Sequence, residues 1–212
     1  MTNVTIIDHP LVKIHLSEIR NKATQPRRFR NLVQRLAALT MYEVTRDLEL
    51  TPTSVETPMM SCEGHELRTR IGIVPILRAG LGMVDPILNL LPEAEVWHLG
   101  FYRDEATLQP VEYYQKLDEA KPVDLGIIVD PMLATGGSAV AAIRALAEWG
   151  VPRIKMVALL ASPEGIRMIQ ESYPDVQVYV CAIDSHLNDR GYILPGLGDA
   201  GDRIFNTLQP PA

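Results

Sequence analysis

The stretch 130–138 (Asp-Pro-Met-Leu-Ala-Thr-Gly-Gly-Ser) combines an acid, hydroxyl side chains and glycines, residue types that can bind a sugar and an anion. It follows residues 127–129, a continuous apolar run of the kind that forms a buried strand. A helical pattern begins at Ser138. Backbone N–H groups in a glycine-rich loop and the positive end of a helix both attract anions. The order strand, acid, loop, helix therefore predicts a site for a phosphorylated ligand.

The individual side chains narrow the ligand to a ribose phosphate. Thr135 and Ser138 offer hydroxyls to phosphate oxygens, and Gly136 and Gly137 let the backbone approach them closely. Asp130 repels a phosphate, so it suits ribose hydroxyls or a metal ion beside the phosphate. The alternative is an ordinary strand–loop–helix joint with Ser138 as the N-cap. The loop matches neither the G-x-G-x-x-G nor the Walker pattern, which disfavours dinucleotides and nucleoside triphosphates.

The elements that must position this loop form a regular alternation. Short apolar runs and helical segments follow one another, which predicts an α/β fold with a mostly parallel sheet and helices on both faces. The strand candidates are residues 71–77, 95–99, 125–129, 154–160 and 176–181. The helix candidates are residues 27–47, 81–91 (with a kink or boundary at Pro86), 138–149 (ended by Gly150) and 163–170. Ligands bind at the carboxyl ends of strands in such sheets, where Asp130 would lie.

Two segments depart from the alternation. Residues 101–122 are polar around a strand-like centre at 111–114, which predicts an arm or hairpin that could close over a site. The tail after Ala182 is rich in Gly, Asp and Pro but keeps apolar residues, so we expect it to dock on the core. We therefore predict a single domain over 1–212. Its parts are an N-terminal helical region over about 1–70, a core over 71–182 and the tail over 183–212.

Composition limits the class of protein. The chain has 212 residues, 47% of them hydrophobic, and a net charge of −6, which excludes a disordered chain and disfavours nucleic-acid partners. Its two cysteines show no C-x-x-C spacing, so we expect free thiols in a reducing compartment. No apolar run is long enough for a signal peptide or for the roughly 18 residues of a membrane span. We expect a cytoplasmic protein without membrane contact.

Four segments together carry a resemblance to a known family. The string VDPMLATGGSA at 129–139 resembles the phosphoribosyl pyrophosphate (PRPP) motif of type I phosphoribosyltransferases, and in particular the uracil phosphoribosyltransferase branch. PILRAGLGM at 75–83, YRDE at 102–105 and GYILPGLGDAGDRIF at 191–205 agree with that branch in order and spacing. Most of the superfamily has a second acid where this chain has Pro131, and this departure also matches the uracil branch. The resemblance implies a β-arm and a C-terminal base-binding hood added to the sheet.

The resemblance implies a glycosyltransferase that converts uracil and PRPP to UMP and pyrophosphate in pyrimidine salvage. It implies catalytic roles for Asp130, Arg103 and Asp199. It implies PRPP contacts at Arg78, Arg103, Asp130, Pro131, Met132, Leu133, Ala134, Thr135, Gly136, Gly137, Ser138 and Asp199. It implies uracil contacts at Ile193, Gly198, Asp199 and Ala200. On local pattern alone, Arg103 could instead pair with Asp104 or Glu105, and Asp199 could be a turn residue.

The remaining expectations concern cofactor and partners. Mg²⁺ is expected, held mainly through the substrate pyrophosphate and water rather than by a protein cage. The family implies a homodimer or larger homo-oligomer, which Tyr102, Tyr113 and Tyr114 of the arm could support. A GTP effector could use the arginines of 27–35, although a solvated helix face is the favoured explanation of them. An RNA-binding regulator with the same fold and a transferase for another base remain alternatives, and no residue is identified as the base for uracil N1.

Overall fold

The computed structural model describes residues 3–103, 110–115 and 121–207, without the side chains of 101–103 and 110–115. The strands are β1 (Val4–Ile6), β2 (Thr51–Glu56), β3 (Ser61–Glu66), β4 (Ile71–Leu77), β5 (Glu95–Val96), β6 (Leu99–Arg103), β7 (Pro110–Gln115), β8 (Leu125–Val129), β9 (Met132–Leu133), β10 (Ile154–Ala161), β11 (Gln177–Ile183), β12 (His186–Leu187) and β13 (Ile193–Leu194). The helices are α1 (Pro10–Arg20), α2 (Pro26–Val44), α3 (Leu81–Leu88), α4 (Gly137–Trp149), α5 (Pro163–Ser172) and α6 (Ala200–Phe205).

A mostly parallel sheet forms the centre of the molecule. Its strand order is β1-β11-β10-β8-β4-β6-β7, and within the described residues only the pairing of β6 with β7 is antiparallel in this sheet. Strands β4 and β8 are buried nearly throughout because helices cover both of their faces. Helices α1, α2, α3 and α6 pack on one face and α4 and α5 on the other. The predicted fold class is confirmed.

Most element boundaries agree with the apolar pattern. Strands β4 and β8 have the predicted bounds, and β10, β11, α4 and α5 lie within two residues of theirs. Gly150 ends α4 in the left-handed conformation, with φ of +96°. Helix α3 ends three residues earlier than expected and contains Pro86, and the predicted strand at 95–99 is divided between β5 and β6.

The N-terminal region differs most from the prediction. Residues 1–70 were expected to be helical, but β1 joins the edge of the central sheet beside β11, and β2 and β3 form a separate antiparallel hairpin. The hairpin side chains are mostly exposed, so the segment lacks the alternating burial that identifies a strand in sequence. Helix α2 spans most of the predicted 27–47.

The two irregular segments behave as expected where they are described. Strands β6 and β7 pair as the base of an arm, and the rest of it, including Asp104 and Glu105, lies outside the described residues. The tail docks on the core through buried apolar side chains at Ile193, Leu197, Ala200 and Ile204. Both cysteines are free, Cys62 exposed and Cys181 buried. Among the described helices, none combines the length and apolar character needed to cross a membrane.

Candidate active site

A two-part cleft opens at the carboxyl ends of β4 and β8, next to each other in the sheet. The chain leaves β4 toward β6 on one side, whereas β8 lies on the other, and such switch points are where α/β sheets bind ligands. The larger part has a volume of about 780 Å³ and the smaller of about 240 Å³. Asp130, Met132 and Ala134 line both parts. The predicted acid therefore lies at the junction between two cavities.

The smaller cavity is built by residues 130–138, which we call the phosphate loop. Leu133, Thr135, Gly136 and Ser138 line this cavity beside the first turn of α4. Gly136 is the N-cap of α4 with φ of +85°, a conformation that side-chain-bearing residues rarely adopt, so the alternative with Ser138 as N-cap is wrong. The positive end of α4 and its first N–H groups thus face the cavity that the sequence assigned to a phosphate.

Ser162, at the start of α5, holds the phosphate loop through hydrogen bonds. Its hydroxyl donates to the carbonyl oxygen of Ala134 at 2.6 Å and accepts the N–H of Gly165 at 2.9 Å, which caps α5. Its own N–H donates to the carbonyl oxygen of Leu133 at 3.0 Å. Pro131 is also buried, and its carbonyl accepts the N–H groups of Leu159 and Leu160. These contacts hold the loop against β10.

Asp130 is half-buried where β8 ends, and its environment favours the neutral acid. The pKa of its carboxyl is raised to about 7, mainly by burial and to a smaller extent by the negative charge of Asp199, while a hydrogen bond from the N–H of Met132 opposes the shift. The carboxyl therefore changes protonation near neutral pH in the free protein. A group that can both donate and accept suits vicinal hydroxyls, as the sequence hypothesis requires.

The larger cavity is closed by the tail. Ile193, Gly198, Asp199 and Ala200 all line it, as the predicted uracil contacts should, together with Ala79 from the end of β4. Asp199 is the N-cap of α6, and its Oδ1 accepts the N–H of Asp202 at 2.9 Å. This bond fixes the direction of the Asp199 carboxylate, and the structural alternative for Asp199 is therefore a helix cap rather than a simple turn residue.

The two predicted arginines differ in what the structure describes. Arg78 follows β4 directly, its side chain is 59% exposed, and its Nη2 lies 3.4 Å from Oδ1 of Asp202. Such a long, exposed ion pair is weak and leaves the guanidinium available to a charged ligand. Arg103 is the last residue of β6 and pairs in register with Pro110. Its predicted contact with PRPP stays a prediction.

Several residues that line or support the cleft were not predicted from the sequence. Asp189, Arg190, Gly191 and Tyr192 line the larger cavity ahead of Ile193. Ser162 could have been predicted from the sequence as a helix cap, since Ser followed by Pro is a typical helix start. Among the described residues, no group of three or more His, Cys, Asp or Glu side chains is arranged to hold a metal ion.

Solved structures with this fold define the class. An adenine phosphoribosyltransferase from Trypanosoma brucei superposes with a TM-score of 0.58 at 12% sequence identity, covering 94% of this chain and 89% of its own. One from Leishmania donovani gives a TM-score of 0.58 at 15% identity, covering 87% and 85%. At this identity the likeness concerns the fold alone. The chain has the fold of a type I phosphoribosyltransferase.

Closer relatives narrow the class to one family. The sequence model of uracil phosphoribosyltransferase matches residues 6–207. A uracil phosphoribosyltransferase from Roseiflexus castenholzii is 57% identical over 98% of this chain and all of its own, and one from Finegoldia magna is 55% identical over the same shares. A protein of known structure from Aquifex aeolicus superposes with a TM-score of 0.91 at 36% identity, covering 96% and 98%. The chain belongs to the uracil phosphoribosyltransferase family.

Proposed function

We propose that this protein transfers the phosphoribosyl group of PRPP to uracil, giving UMP and pyrophosphate in pyrimidine salvage. The observation that carries the proposal is the pair of cavities that meet at Asp130, one beside the N-terminus of α4 and the other lined by the tail. A nucleoside monophosphate has the same division, with a phosphate at one end, a sugar in the middle and a base at the other. The family membership supports the same reaction.

Each part of the substrate has a chemically matched position. We place the 5′-phosphate against Thr135 to Ser138, where hydroxyls, backbone N–H groups and the α4 dipole all favour an anion. Asp130 then meets the ribose hydroxyls at the junction of the cavities. The larger cavity exceeds the volume of a pyrimidine ring, so it has room for the base and the pyrophosphate on either side of C1′.

The reaction at C1′ needs orientation and charge compensation rather than a covalent intermediate. The bond from uracil N1 to C1′ forms while the bond from C1′ to the pyrophosphate oxygen breaks, and both electrons of that bond leave with the pyrophosphate. The N1 proton passes to a base, for which Asp199 and the departing pyrophosphate are the candidates. Arg78 and Arg103 are assigned to the pyrophosphate, because a guanidinium stays charged and pairs with two phosphate oxygens at once. Asp130, Arg103 and Asp199 are the residues to which we assign catalytic roles.

Mg²⁺ fits this cleft as a companion of the substrate. Asp130 and Asp199 line it and offer carboxylate oxygens, the hard ligands that Mg²⁺ prefers. The described residues contain no larger group of protein ligands, so we propose that substrate oxygens and water complete the coordination. When bound, the ion would neutralise charge on the leaving pyrophosphate.

Base selection is assigned to the backbone of the tail. Ile193 is buried and supplies an apolar wall, while the backbone around Gly198 to Ala200 supplies N–H and carbonyl groups at the cleft. Uracil O4 accepts a hydrogen bond where cytosine carries a donating amino group. A donor placed for O4 would be left unpaired by cytosine, which discriminates against that base.

A pyrophosphate-release assay tests the proposal. Purified protein with PRPP and Mg²⁺ is offered uracil, cytosine, hypoxanthine or orotate in separate reactions. We expect release with uracil and only background release with the other three bases. A uracil reaction at the background rate would contradict the proposed function, and release with another base would assign the same chemistry to a different substrate.

We further propose that the chain forms a homodimer or larger homo-oligomer through the β2–β3 hairpin. The hairpin is a separate two-stranded sheet, and the side chains of Met59 and Met60 at its turn are 91% and 69% exposed. An unsupported hairpin with an apolar tip is marginally stable, and a partner surface would stabilise it. Sedimentation of Met60→Asp against Leu90→Asp, another exposed apolar site, tests this. Only the first should dissociate the oligomer.

The remaining partner assignments have weaker support. A GTP effector on the arginines of α2 has limited capacity, because Arg28 is bonded to both carboxylate oxygens of Glu18 and Arg30 donates to the carbonyl of Ile204. Adding GTP to the uracil assay tests the effector directly.

We also propose a cytoplasmic location, since the exposed free thiol of Cys62 suits a reducing compartment. We also propose that the chain forms a single domain, because α1, β4 and α6 contribute to one apolar cluster.

A further inference from the structure

We propose that Arg20 and Arg203 are positioning residues for uracil, which hold residues 193–199, here called the base loop, in the shape that recognises the base. The inference rests on the proposed function, because Ile193, Gly198 and Asp199 at the two ends of the base loop line the cavity assigned to uracil. Neither arginine is among the residues that line that cavity. Both instead contact the backbone of the loop from the side of α1.

Arg20 and Asp184 form a buried ion pair that holds Gly196. The two carboxylate oxygens of Asp184 accept Nη1 and Nη2 of Arg20 at 2.7 and 2.6 Å, and the Asp184 side chain is 5% exposed. The same pair reaches the base loop through two bonds: Arg20 Nη1 donates to the carbonyl of Gly196 at 2.9 Å, and the N–H of Gly196 donates to Asp184 Oδ2 at 2.9 Å. Both backbone groups of Gly196 are therefore fixed by one ion pair.

Arg203 ties the base loop to the end of α1. Its Nη1 donates to the carbonyl oxygens of Leu197 at 2.6 Å and Ile19 at 2.8 Å, and its Nη2 donates to that of Asn21 at 2.7 Å. The guanidinium also lies over the ring of Phe29, with 4.2 Å from Cζ to the ring centre. These contacts occupy the group, so its role is to connect α1, α2 and the base loop rather than to bind a substrate anion.

The base loop needs such ties because its own backbone is permissive. Gly196 has φ of +61° and a Cβ there would lie 2.1 Å from the carbonyl oxygen of Ile193, so only glycine fits that turn. Glycine loses more backbone freedom on ordering than any other residue. A pocket that reads uracil with backbone groups depends on their placement to a fraction of an ångström. Ties to the consecutive residues Gly196 and Leu197 provide that placement.

Conservative variants separate positioning from simple stability. Arg20→Lys and Arg203→Lys keep the charge but lose the planar fork that serves several acceptors at once. Arg28→Lys is the matched control, because Arg28 also forms a two-bond ion pair between α1 and α2, with Glu18, without touching the base loop. Steady-state kinetics gives the KM of each substrate, and calorimetry gives binding of UMP and of PRPP with Mg²⁺.

We expect the two lysine variants to raise the KM for uracil by about tenfold or more and to weaken UMP binding similarly, with the KM and binding of PRPP within about twofold of the parent. Arg28→Lys should leave all four values unchanged. Unchanged uracil KM in both lysine variants, or an equal rise in the KM of both substrates, would overturn the inference. If Arg203→Lys does not fold, Arg20→Lys and Asp184→Asn decide it.

The parent protein separates this inference from the proposed function. A parent that releases no pyrophosphate with uracil contradicts the proposed function itself, and the inference about the two arginines fails with it. If the parent releases pyrophosphate with uracil and the uracil KM of the variants does not change, the proposed function stands and only the positioning role is removed.

Discussion

Asp130 and Asp199 line the same cleft, and the charge of Asp199 contributes to the raised pKa of Asp130. One acid ends a buried strand and the other begins a short helix in the tail. Two carboxylates in one cleft favour a bound cation or a set of hydroxyl donors between them, because either relieves their repulsion. In the free protein, protonation of Asp130 near neutral pH relieves part of this repulsion.

Replacing Asp130 with Asn should remove activity without loss of stability. The amide keeps the shape of the side chain but carries no negative charge, so it cannot compensate a bound cation as the carboxylate does, and we expect kcat/KM to fall by about a hundredfold or more. The melting temperature should be no lower, since a partly buried charge is removed. Asp85→Asn, at an exposed position on α3, is the control and should leave both values unchanged. Full activity in Asp130→Asn would remove Asp130 from the site.

The raised pKa of Asp130 predicts a pH dependence of stability. Burial, with a smaller effect of Asp199, raises this pKa to about 7, so between pH of about 4 and 7 the folded state holds a proton that the unfolded state has released. The free energy of unfolding of the parent, relative to Asp130→Asn, should therefore fall as the pH rises through this range. Urea unfolding of both proteins at several pH values measures it. If the stability of the parent relative to Asp130→Asn stays constant or rises with pH, the pKa is not raised.

Removing the Ser162 hydroxyl should loosen the phosphate loop. Ser162→Ala loses the bond to the carbonyl of Ala134 and the cap on the N–H of Gly165, which we expect to cost about 1–3 kcal/mol of unfolding free energy. The KM for PRPP should rise several-fold while the KM for uracil changes less. Ser172→Ala, at the exposed end of the same helix, is the control. Lower stability with an unchanged KM for PRPP would confine Ser162 to a structural role.

A second ion pair, between Lys155 and Asp47, should affect stability alone. Lys155 is nearly fully buried in β10 and bonds to Asp47 and to the carbonyl of Val44. Asp47→Asn leaves that ammonium without its counter-charge. Because Asp47 is 42% exposed, solvent screens part of the effect, and we expect a loss of about 1–3 kcal/mol of unfolding free energy. Urea unfolding measures the loss, and the KM of both substrates should not change. Glu43→Gln, which breaks the surface pair with Arg46, should cost much less stability, because an exposed pair contributes little.

The same pair has a defined pH dependence. Burial pushes the pKa of Asp47 upward, but its hydrogen bond and charge interaction with Lys155, aided by Arg153, outweigh this and bring the pKa below its ordinary value. The stabilisation by the carboxylate is therefore complete at neutral pH. It should disappear, along with the difference between the parent and Asp47→Asn, as the pH falls below about 4.

The sheet and the phosphate loop were predictable because their signals are local. Strands β4 and β8 are buried on both faces and read as unbroken apolar runs, and Asp130 follows one of them directly. The hairpin of β2 and β3 was not predictable in this way. Its side chains are mostly exposed, so neither strand shows the alternation that burial of one face imposes.

The supports of the base loop could not be predicted from local pattern. Arg20 and Asp184 lie 164 positions apart, and nothing in the residues around either one indicates a partner. Arg203 is similarly paired with carbonyl oxygens of α1, contacts that depend on the path of the chain rather than on side-chain type. Tertiary contacts of this kind become visible only once the two ends of the chain are placed together.

The separation of Arg20 from Asp184 along the chain has a consequence for the order in which the protein folds. The phosphate loop is contiguous, and Ser162, which supports it, lies 28 positions from Ala134, so this half of the cleft closes a short loop. The base half closes only when the first helix meets the last, which closes a longer loop and costs more chain entropy. On a chain still emerging from the ribosome, the half of the cleft proposed for the sugar phosphate could therefore form before the half proposed for the base.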